Sequence, residues 1–237
     1  MTNSNWKSVY TVLSEEIENG LLKPGTRIPT EPELVARFGT GRHSVRKAVD
    51  ELARQGKLSV EQGRGTFVQS EPMIAYALGR RTRLRQNLAE QATRVSGELL
   101  HAGQMEATDR IAKELGLQEG DSVVMARRVT LADDLPIGVG EAYRCAKRFP
   151  DFTERRNELG STTKTYQSYG INDYLRAHST IHSRLPRGDE AKILQQHPQM
   201  PVMVVRALDT MLDGSPLCYK EVVWSAMRVR FTITDEE

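Results

Sequence analysis

The side chains best suited to chemistry form a local group of cations near the start of the sequence. Four lysines or arginines and no acid lie between Arg37 and Lys47, although the whole chain of 237 residues carries a formal net charge of only +2. A guanidinium forms paired hydrogen bonds with a phosphate or with the edge of guanine. A local excess of positive charge therefore favours a docking surface for a polyanion, although a charged helical face is more often simply solvated.

A second feature is a glycine-rich tip between two short runs of β-prone residues, Leu58 to Val60 and Thr66 to Val68. Glycine adopts the positive φ values of a tight turn, so Gly63 and Gly65 predict a hairpin from which Arg64 projects. Such a projection suits a nucleic-acid groove or a row of phosphates. A hairpin with this tip is also common as a plain turn.

The elements that must position these cations follow from the apolar spacing. Residues Trp6 to Ile17 predict a first helix, and Thr30 with Glu33 has the form of a capping box that starts a second one. Gly39 and Gly41 break that helix, and a third helix is predicted from Arg42. This third helix buries one face through Val45, Ala48, Val49 and Leu52 and presents its cations on the other. Three helices followed by a hairpin are the order of a winged helix-turn-helix.

We therefore expect Arg42 and Arg46 to contact bases or adjacent phosphates in the major groove, and Arg64 to reach the neighbouring minor groove. His43 and Lys47 are expected to touch phosphates at most. The full set of predicted DNA-contacting residues is Arg42, His43, Ser44, Arg46, Lys47, Gln62, Gly63, Arg64, Gly65 and Thr66.

Residues 6 to 68 resemble the winged-helix domain of the GntR family of bacterial transcription regulators. The matching residues are Pro24 and Gly25, the run from Ile28 to Glu31, then Arg42, Val45 and Arg46, and finally Gly63 with Gly65 to Val68. Two positions depart from the pattern. Pro32 stands where some members have a DNA-contacting arginine, and Gly41 replaces the usual serine, which predicts a weaker helix cap. The resemblance implies a DNA-binding regulator.

Composition narrows the class of protein further. The sequence is 38% hydrophobic and 27% charged, as is typical of a globular protein, and no apolar run reaches the length of a membrane span. We therefore expect a cytoplasmic location. Cys145 and Cys218 have neither disulfide-framework nor zinc-site spacing, and the histidines are scattered, so no metal or cofactor is expected. The usual enzyme motifs, such as a P-loop or a nucleophile elbow, are also missing from the sequence.

The second half of the sequence predicts an antiparallel α+β domain built from several hairpins with helices between them. The expected strands are Val123 to Leu131, Pro136 to Cys145, Val202 to Leu212, Pro216 to Ser225 and Val229 to Thr234. The expected helices are Asp109 to Leu115, Phe149 to Leu159, Thr162 to Tyr169, a helix-like Asn172 to Ala177 within a strand-prone stretch, and Arg187 to Gln195. The predicted domains are residues 1–70 and 83–237, joined by a linker at 71–82.

This half is similar to the UTRA domain, the effector-binding module of the HutC subfamily of GntR regulators, which is related in fold to chorismate lyase. The matches include Arg128, the turn from Ala132 to Pro136, the strand with Tyr143, and the sequence from Asp213 to Pro216. Segments 81–88 and 183–191 resemble regulators of phosphonate metabolism in particular. The resemblance implies that a small-molecule effector binds in this domain.

The residues available there suggest an anionic effector. Arg128 lies on a predicted strand, and Ser161, Thr162 and Thr163 open a predicted helix whose free amides favour phosphate-like groups. Arg128 could instead only pair with Glu141, and the serine and threonines could only cap their helix. The predicted effector-contacting residues are Arg83, Arg85, Arg128, Thr130, Glu141, Ser161, Thr162, Thr163, Arg184 and Tyr219.

The arginine run at positions 80, 81, 83 and 85 has three interpretations. It could be a solvated linker, add phosphate contacts, or form part of an anion pocket. The function we predict overall is a repressor that binds palindromic operator DNA as a homodimer and is released by a small anionic metabolite, such as a phosphonate or a phosphate ester. The alternatives are an enzyme of lyase-like fold fused to a DNA-binding domain and a ligand-independent DNA-binding protein.

Overall fold

The structure is a computed structural model that describes residues 6–61, 63–69, 74–81, 84–89, 91 and 94–233; the side chains of residues 85, 86 and 89 are outside the description. The chain forms two compact units. The first contains Met1–Met73, Leu185–Val202 and Ser225–Arg228, and the second contains Ile74–Arg184, Met203–Trp224 and Val229–Glu237. Two stretches from the second half of the sequence thus belong to the first unit. The predicted domain boundaries at 70 and 83 stay a prediction.

The first unit is a winged helix-turn-helix with one added helical turn. Its elements are α1 (Trp6–Glu18), α2 (Glu31–Phe38), α3 (Arg42–Arg54), β1 (Leu58–Glu61), β2 (Gly65–Val68) and the short α8 (Glu190–Ile193). The predicted capping box is confirmed, because the Glu33 carboxylate accepts hydrogen bonds from the backbone N–H and the hydroxyl of Thr30, at 2.6 and 2.7 Å. Gly39 ends α2 at a φ of 58°. Gly41 caps α3 without a side-chain hydrogen bond, as its lack of a side chain predicts.

The predicted apolar face of α3 is confirmed as part of the core of this unit. Val45, Ala48 and Leu52 are buried, and Val49 packs against them. Val9 and Leu13 of α1 belong to the same core cluster. The cations of α3 consequently lie on the side away from the core.

The second unit is built on a six-stranded sheet. In chain order its strands are β4 (Val95–Glu106), β5 (Ser122–Ala132), β6 (Leu135–Cys145), β7 (Leu175–Arg184), β8 (Val202–Thr210) and β9 (Pro216–Ser225). They lie side by side in the order β4-β5-β6-β9-β8-β7. The pairings of β4 with β5, β5 with β6 and β6 with β9 are antiparallel, which confirms the predicted antiparallel α+β fold.

Smaller elements surround this sheet. The helices are α4 (Leu84–Ala89), α5 (Asp109–Leu115), α6 (Phe152–Leu159) and α7 (Thr162–Gln167), and a two-stranded parallel sheet pairs β3 (Ile74–Ala77) with β10 (Val229–Thr232). The prediction of α5 is confirmed at both ends, with Gly116 as its left-handed C-cap.

Two helix predictions are wrong. No helix forms at residues 172–177 of the described chain, because Tyr174 is buried against Tyr166 and the strand β7 begins at Leu175. The helix expected from Arg187 to Gln195 is only the single turn Glu190–Ile193, and it ends where Gln195 takes a φ of 49°. In both cases tertiary packing overrides a weak local propensity.

Candidate DNA-binding surface and ligand-binding cavity

The predicted DNA-contacting arginines stand on the exposed face of α3. The Arg42 and Arg46 side chains are 75% and 68% exposed. Both lie beside Glu31, the first residue of α2: Arg46 Nε donates to Glu31 Oε2 at 2.6 Å, and Arg42 Nε is 3.9 Å from Glu31 Oε1. Because the carboxylate engages the Nε side of Arg46, this residue can still offer its terminal nitrogens to a base edge.

The other predicted contacts on α3 differ in their surroundings. His43 is exposed, whereas Ser44 is half-buried, and its backbone N–H donates to the carbonyl of Gly41 at 3.0 Å. The ammonium of Lys47 lies 4.6 Å from the ring centroid of Trp6 on α1, a cation–π contact. This contact holds the Lys47 ammonium near α1, which fits the expectation that Lys47 touches phosphates at most.

The tip of the wing, between β1 and β2, depends on glycine. Gly65 has a φ of 127°, and a Cβ there would lie 2.5 Å from Nε of Arg27. Gly63 also has a positive φ, of 78°. Arg64 Nη1 donates to Glu61 Oε2 at 2.6 Å, so the predicted minor-groove arginine folds back toward the end of β1. Gln62, also a predicted contact, lies outside the described residues.

The wing is braced from within the first unit. Backbone hydrogen bonds join Ile28 N–H to the carbonyl of Thr66 and Val68 N–H to that of Thr26, at 2.9 and 2.8 Å. Thr66, a predicted DNA contact, thus helps to brace the wing through its backbone carbonyl. The buried guanidinium of Arg228 donates to the carbonyls of Leu194 and Gln195 and is 3.9 Å from Glu61 Oε1 on β1.

The second unit contains a cavity of about 300 Å³ over one face of the six-stranded sheet. In the register of the strands, Arg128 on β5 is opposite Gly140 on β6, which is opposite Val222 on β9. Residues opposite one another project to the same side of a sheet, and neighbours along a strand alternate. Arg128, Thr130, Arg144 and Lys220 therefore share the face that lines this cavity.

Arg128 and the residues from 161 to 163 come together at this cavity. Arg128 Nη1 donates to Oδ1 of Asn157 on α6 at 2.9 Å. Ser161 accepts the backbone N–H of Lys164 at 3.4 Å, and Thr162 Oγ1 accepts from Nε of Arg156 at 3.1 Å. Thr163 Oγ1 is 3.4 Å from the hydroxyl of Tyr174. Thus Ser161 caps its helix, while both threonines join side chains that line the cavity.

Other predicted effector residues are separated from this group. Glu141 and Tyr219 point to the opposite side of the sheet, because Glu141 is opposite Arg127 and Tyr219 is opposite Tyr143. On that side the hydroxyl of Tyr143 donates to the Glu141 carboxylate. Glu141 therefore borders the cavity, but its side chain lies on the other face of the sheet. Arg184 is the last residue of β7 and does not line the cavity.

The arginine run is only partly described. Arg81 Nη1 forms a 2.8 Å ion pair with Asp173, and the carbonyl of Arg80 accepts the backbone N–H of Arg176 at 2.7 Å. Arg83 and the side chain of Arg85 lie outside the described residues. Both of these contacts are with other residues of the second unit, to which Arg80 and Arg81 belong.

Sequence reasoning missed a group of charged side chains beside the cavity. Asp209 on β8 accepts from Nε of Arg176 and from Nζ of Lys220, each at 2.6 Å, and Arg144 is buried nearby on the cavity wall. Burial would raise the pKa of the Asp209 carboxyl, but the charges of Lys220 and Arg176 outweigh burial and hold that pKa below its usual value. One signal was available in the sequence. Arg144 lies two residues after Ala142 and therefore shares one face of β6 with Gly138, Gly140 and Ala142, which places a cation on the small-residue face of this strand.

The described part of the chain contains no helix that is both long and apolar enough to cross a membrane. Within the same residues, no cluster of three or more histidine, cysteine, aspartate or glutamate side chains could hold a metal ion.

Fold and site together define a winged-helix DNA-binding protein with a second unit that contains a cavity lined by both charged and apolar side chains. Comparison with protein families also finds two parts in the chain. Residues 5–68 match the model of bacterial regulatory proteins of the gntR family, and residues 90–230 match the UTRA domain. The chain belongs to the GntR family of transcription regulators and is of the HutC type.

Individual relatives agree with this assignment. The chain is 32% identical over 228 residues to an uncharacterised HTH-type transcriptional regulator of Rhizobium meliloti, covering 96% of this chain and 93% of the relative. It is 26% identical over 221 residues to the HTH-type transcriptional repressor NagR of Bacillus subtilis, covering 92% and 89%. The crystal structure of PhnF from Mycobacterium smegmatis shares the fold, with a TM-score of 0.65, 24% identity and coverage of 96% and 99%.

Proposed function

We propose that this regulator is a repressor that binds a palindromic operator as a homodimer in the cytoplasm and is released by a small anionic metabolite, such as a phosphonate or a phosphate ester. The observation that carries the proposal is the cationic wall of the cavity, where Arg128, Arg144, Arg156 and Lys220 line a space of about 300 Å³. Cations in a partly desolvated site favour an anionic ligand through charge-assisted hydrogen bonds.

On the DNA side, Arg42 and Arg46 read bases in the major groove and Arg64 reaches the adjacent minor groove. The exposure of Arg42 and Arg46 supports these roles. A paired arginine–guanine contact discriminates by about 1 to 3 kcal/mol, so Arg46→Ala is expected to weaken operator binding roughly tenfold or more. Arg54→Ala is the matched control, because Arg54 is also exposed on α3 and ion-paired, with Glu51, but lies in its last turn. Unchanged affinity of Arg46→Ala for DNA sequences selected with the wild type would contradict the assignment.

On the ligand side, effector binding and DNA binding oppose each other. A coupling free energy of about 1 to 3 kcal/mol changes DNA affinity by roughly 5- to 150-fold, and DNA weakens ligand binding by the same factor. The test is release of selected DNA by phosphate, sulfate, methylphosphonate or an uncharged sugar. Arg128→Ala is expected to abolish the response. Arg127→Ala is its control, because Arg127 is the neighbouring residue on the opposite face of the sheet.

Release by the neutral sugar, or an equal response from Arg128→Ala, would contradict an anionic effector at this site. The same assay tests the alternatives. Chemical turnover of an added compound would indicate an enzyme, and indifference to all compounds would indicate a ligand-independent DNA-binding protein.

Dimerisation is proposed through the sheet of the second unit. β4 and β7 form its two edges, and an edge strand offers unpaired backbone groups to a partner. Exposed apolar side chains on these edges, Leu100 on β4 and Ile181 on β7, support the proposal. Two winged domains are then available for two half-sites of a palindrome. Sedimentation at micromolar concentration tests it, and a monomer with full operator affinity would contradict it.

A further inference from the structure

Arg144 is a buried cation on the wall of the cavity. Its residue is only 6% exposed, its Nε donates to the hydroxyl of Tyr166 at 3.0 Å, and its guanidinium carbon lies 3.8 Å from the ring centroid of Phe152. These contacts fix the plane of the guanidinium. Within the described chain, no carboxylate forms an ion pair with Arg144, and its two terminal nitrogens have no hydrogen-bond acceptor.

Burial would lower the pKa of Arg144, but its neighbours Cys218, Tyr166 and Asp209 hold it above the usual value, so its charge is compensated in part. Arg176 and Lys220 both bond to the single carboxylate of Asp209, so three cationic side chains share one acid in this region. Burial lowers the pKa of Lys220 in spite of Asp209, which indicates that a charge here is poorly hydrated. The cost of burying an ion is repaid in full only when hydrogen bonds satisfy its remaining protons. A bound anion would accept the hydrogen bonds that the terminal nitrogens of Arg144 do not make within the described chain.

A second buried polar group faces the same space. Thr153 on α6 lines the cavity and is 7% exposed, and its Oγ1 is buried without a hydrogen-bond partner among the described residues. A buried hydroxyl that is not hydrogen-bonded is costly, and such groups commonly mark a ligand or water position. The hydroxyl can donate one hydrogen bond to an anionic oxygen.

We propose that Arg144, Lys220 and Thr153 form a second anion subsite, so that the ligand is a small diacid with one acidic group here and the other at Arg128. This inference rests on the proposed anionic effector and narrows its chemical class. The volume of about 300 Å³ is at the lower end for ligand pockets, which suits a short phosphonocarboxylate or dicarboxylate. The aromatic ring of Phe152 covers the apolar side of this subsite.

The test is calorimetric titration of the full chain with 3-phosphonopropionate and with its carboxyl methyl ester. The ester keeps the phosphonate and is larger by one methyl group, but it lacks the carboxylate charge. The wild type is expected to bind the diacid at least tenfold more tightly than the ester. Arg144→Met should remove this difference while leaving the ester affinity unchanged, and Arg128→Ala should weaken both compounds.

Two further variants keep the test decisive if Arg144→Met does not fold. Thr153→Val preserves shape and is expected to lower diacid affinity several-fold without changing ester affinity. Arg148→Met is the matched control, since Arg148 also lies over an aromatic ring, that of Phe149, but does not line the cavity. It should bind both compounds like the wild type.

Equal wild-type affinity for diacid and ester would overturn the subsite, as would equal losses for both compounds in the Thr153 and Arg144 variants. Failure of the broader proposal looks different. If the diacid binds through Arg144 but does not release DNA, the subsite stands and the regulatory role of the anion falls. If methylphosphonate releases DNA and the diacid shows no gain, the subsite alone falls.

Discussion

Arg46 of α3 donates its Nε to the Glu31 carboxylate at the start of α2, at 2.6 Å. Glu31 is thus a fixed acid between two arginines of the proposed DNA-reading helix, since Arg42 lies 3.9 Å from its other oxygen. The pair joins the two helices of the helix-turn-helix at the surface where DNA is expected to bind. An acid at this position orients an arginine but also repels phosphates.

Glu31→Gln is expected to lower the ratio of specific to non-specific DNA affinity by about tenfold, since a paired contact to guanine contributes about 1 to 3 kcal/mol of discrimination. Non-specific binding should become stronger and more salt-dependent, because a repelling charge is lost. The measurement is Kd for selected and random DNA at several salt concentrations. Glu16→Gln is the control, because Glu16 pairs with Arg37 away from α3. If both affinities rise by one common factor, Glu31 acts only as a repelling charge.

Gly140→Ala is expected to destabilise the protein by about 1 to 3 kcal/mol, the usual cost of overpacking. A Cβ on Gly140 would lie 2.6 Å from the Glu221 carbonyl oxygen and 2.7 Å from Cα of Val222, so the backbone of β9 would have to move. Gly103→Ala on the edge strand β4 is the control, because its Cβ would meet nothing within 4 Å. Denaturant unfolding of both variants checks this. Equal stability of the two variants would show that β9 shifts at no cost.

Asp209→Asn is expected to destabilise the protein by about 3 to 5 kcal/mol at neutral pH, because it leaves Arg176 and Lys220 without their buried acid. The pKa of Asp209 is lowered in the folded state, so its stabilising contribution exists above the unfolded pKa and is lost as pH falls through the folded one. The difference in unfolding free energy between wild type and variant should therefore shrink below about pH 4.

Unfolding from pH 7 down to pH 3 measures that difference. Asp109→Asn is the control, because Asp109 is exposed and pairs with Lys113 on its own helix. Its effect should stay near zero throughout. A difference for Asp209→Asn that is independent of pH would show that the carboxylate is not charged in the folded protein.

Arg228→Met is expected to destabilise the first unit by about 3 kcal/mol, because two carbonyls lose charge-assisted donors. These carbonyls, of Leu194 and Gln195, end α8. Amide exchange should quicken in residues 190–196 and in β1, where Glu61 loses its neighbour. Arg230→Met, an exposed position on β10, should leave exchange unchanged. Unaltered exchange in Arg228→Met would mean that the guanidinium does not hold this segment.

Much of the fold could be predicted from local signals. The capping box of Thr30 and Glu33, the glycine breaks at 39 and 41, and the apolar spacing of α3 each involve residues close in sequence, and each is confirmed. The same holds for α5, which has a left-handed glycine directly after it. Such signals work because caps and turns are satisfied by neighbouring backbone groups.

The candidate cavity could be predicted only in part. Arg128 and the threonines after Ser161 do line it, but Glu141 and Tyr219 project to the other side of the sheet. A strand's alternation is visible in the sequence, whereas the face that becomes the cavity depends on cross-strand register. A shift of one residue in that register would exchange the two faces.

By itself, the sequence determined a winged helix with an exposed cationic face and an antiparallel second domain, because hydrophobic spacing, caps and glycine turns act over a few residues. Only the tertiary structure decided that Arg176, Asp209 and Lys220, from three different strands, form one charged group. It likewise decided that residues 185–202 and 225–228 belong to the first unit. These outcomes depend on contacts between residues far apart in the chain, and their partners are fixed by packing and register, which no local pattern specifies.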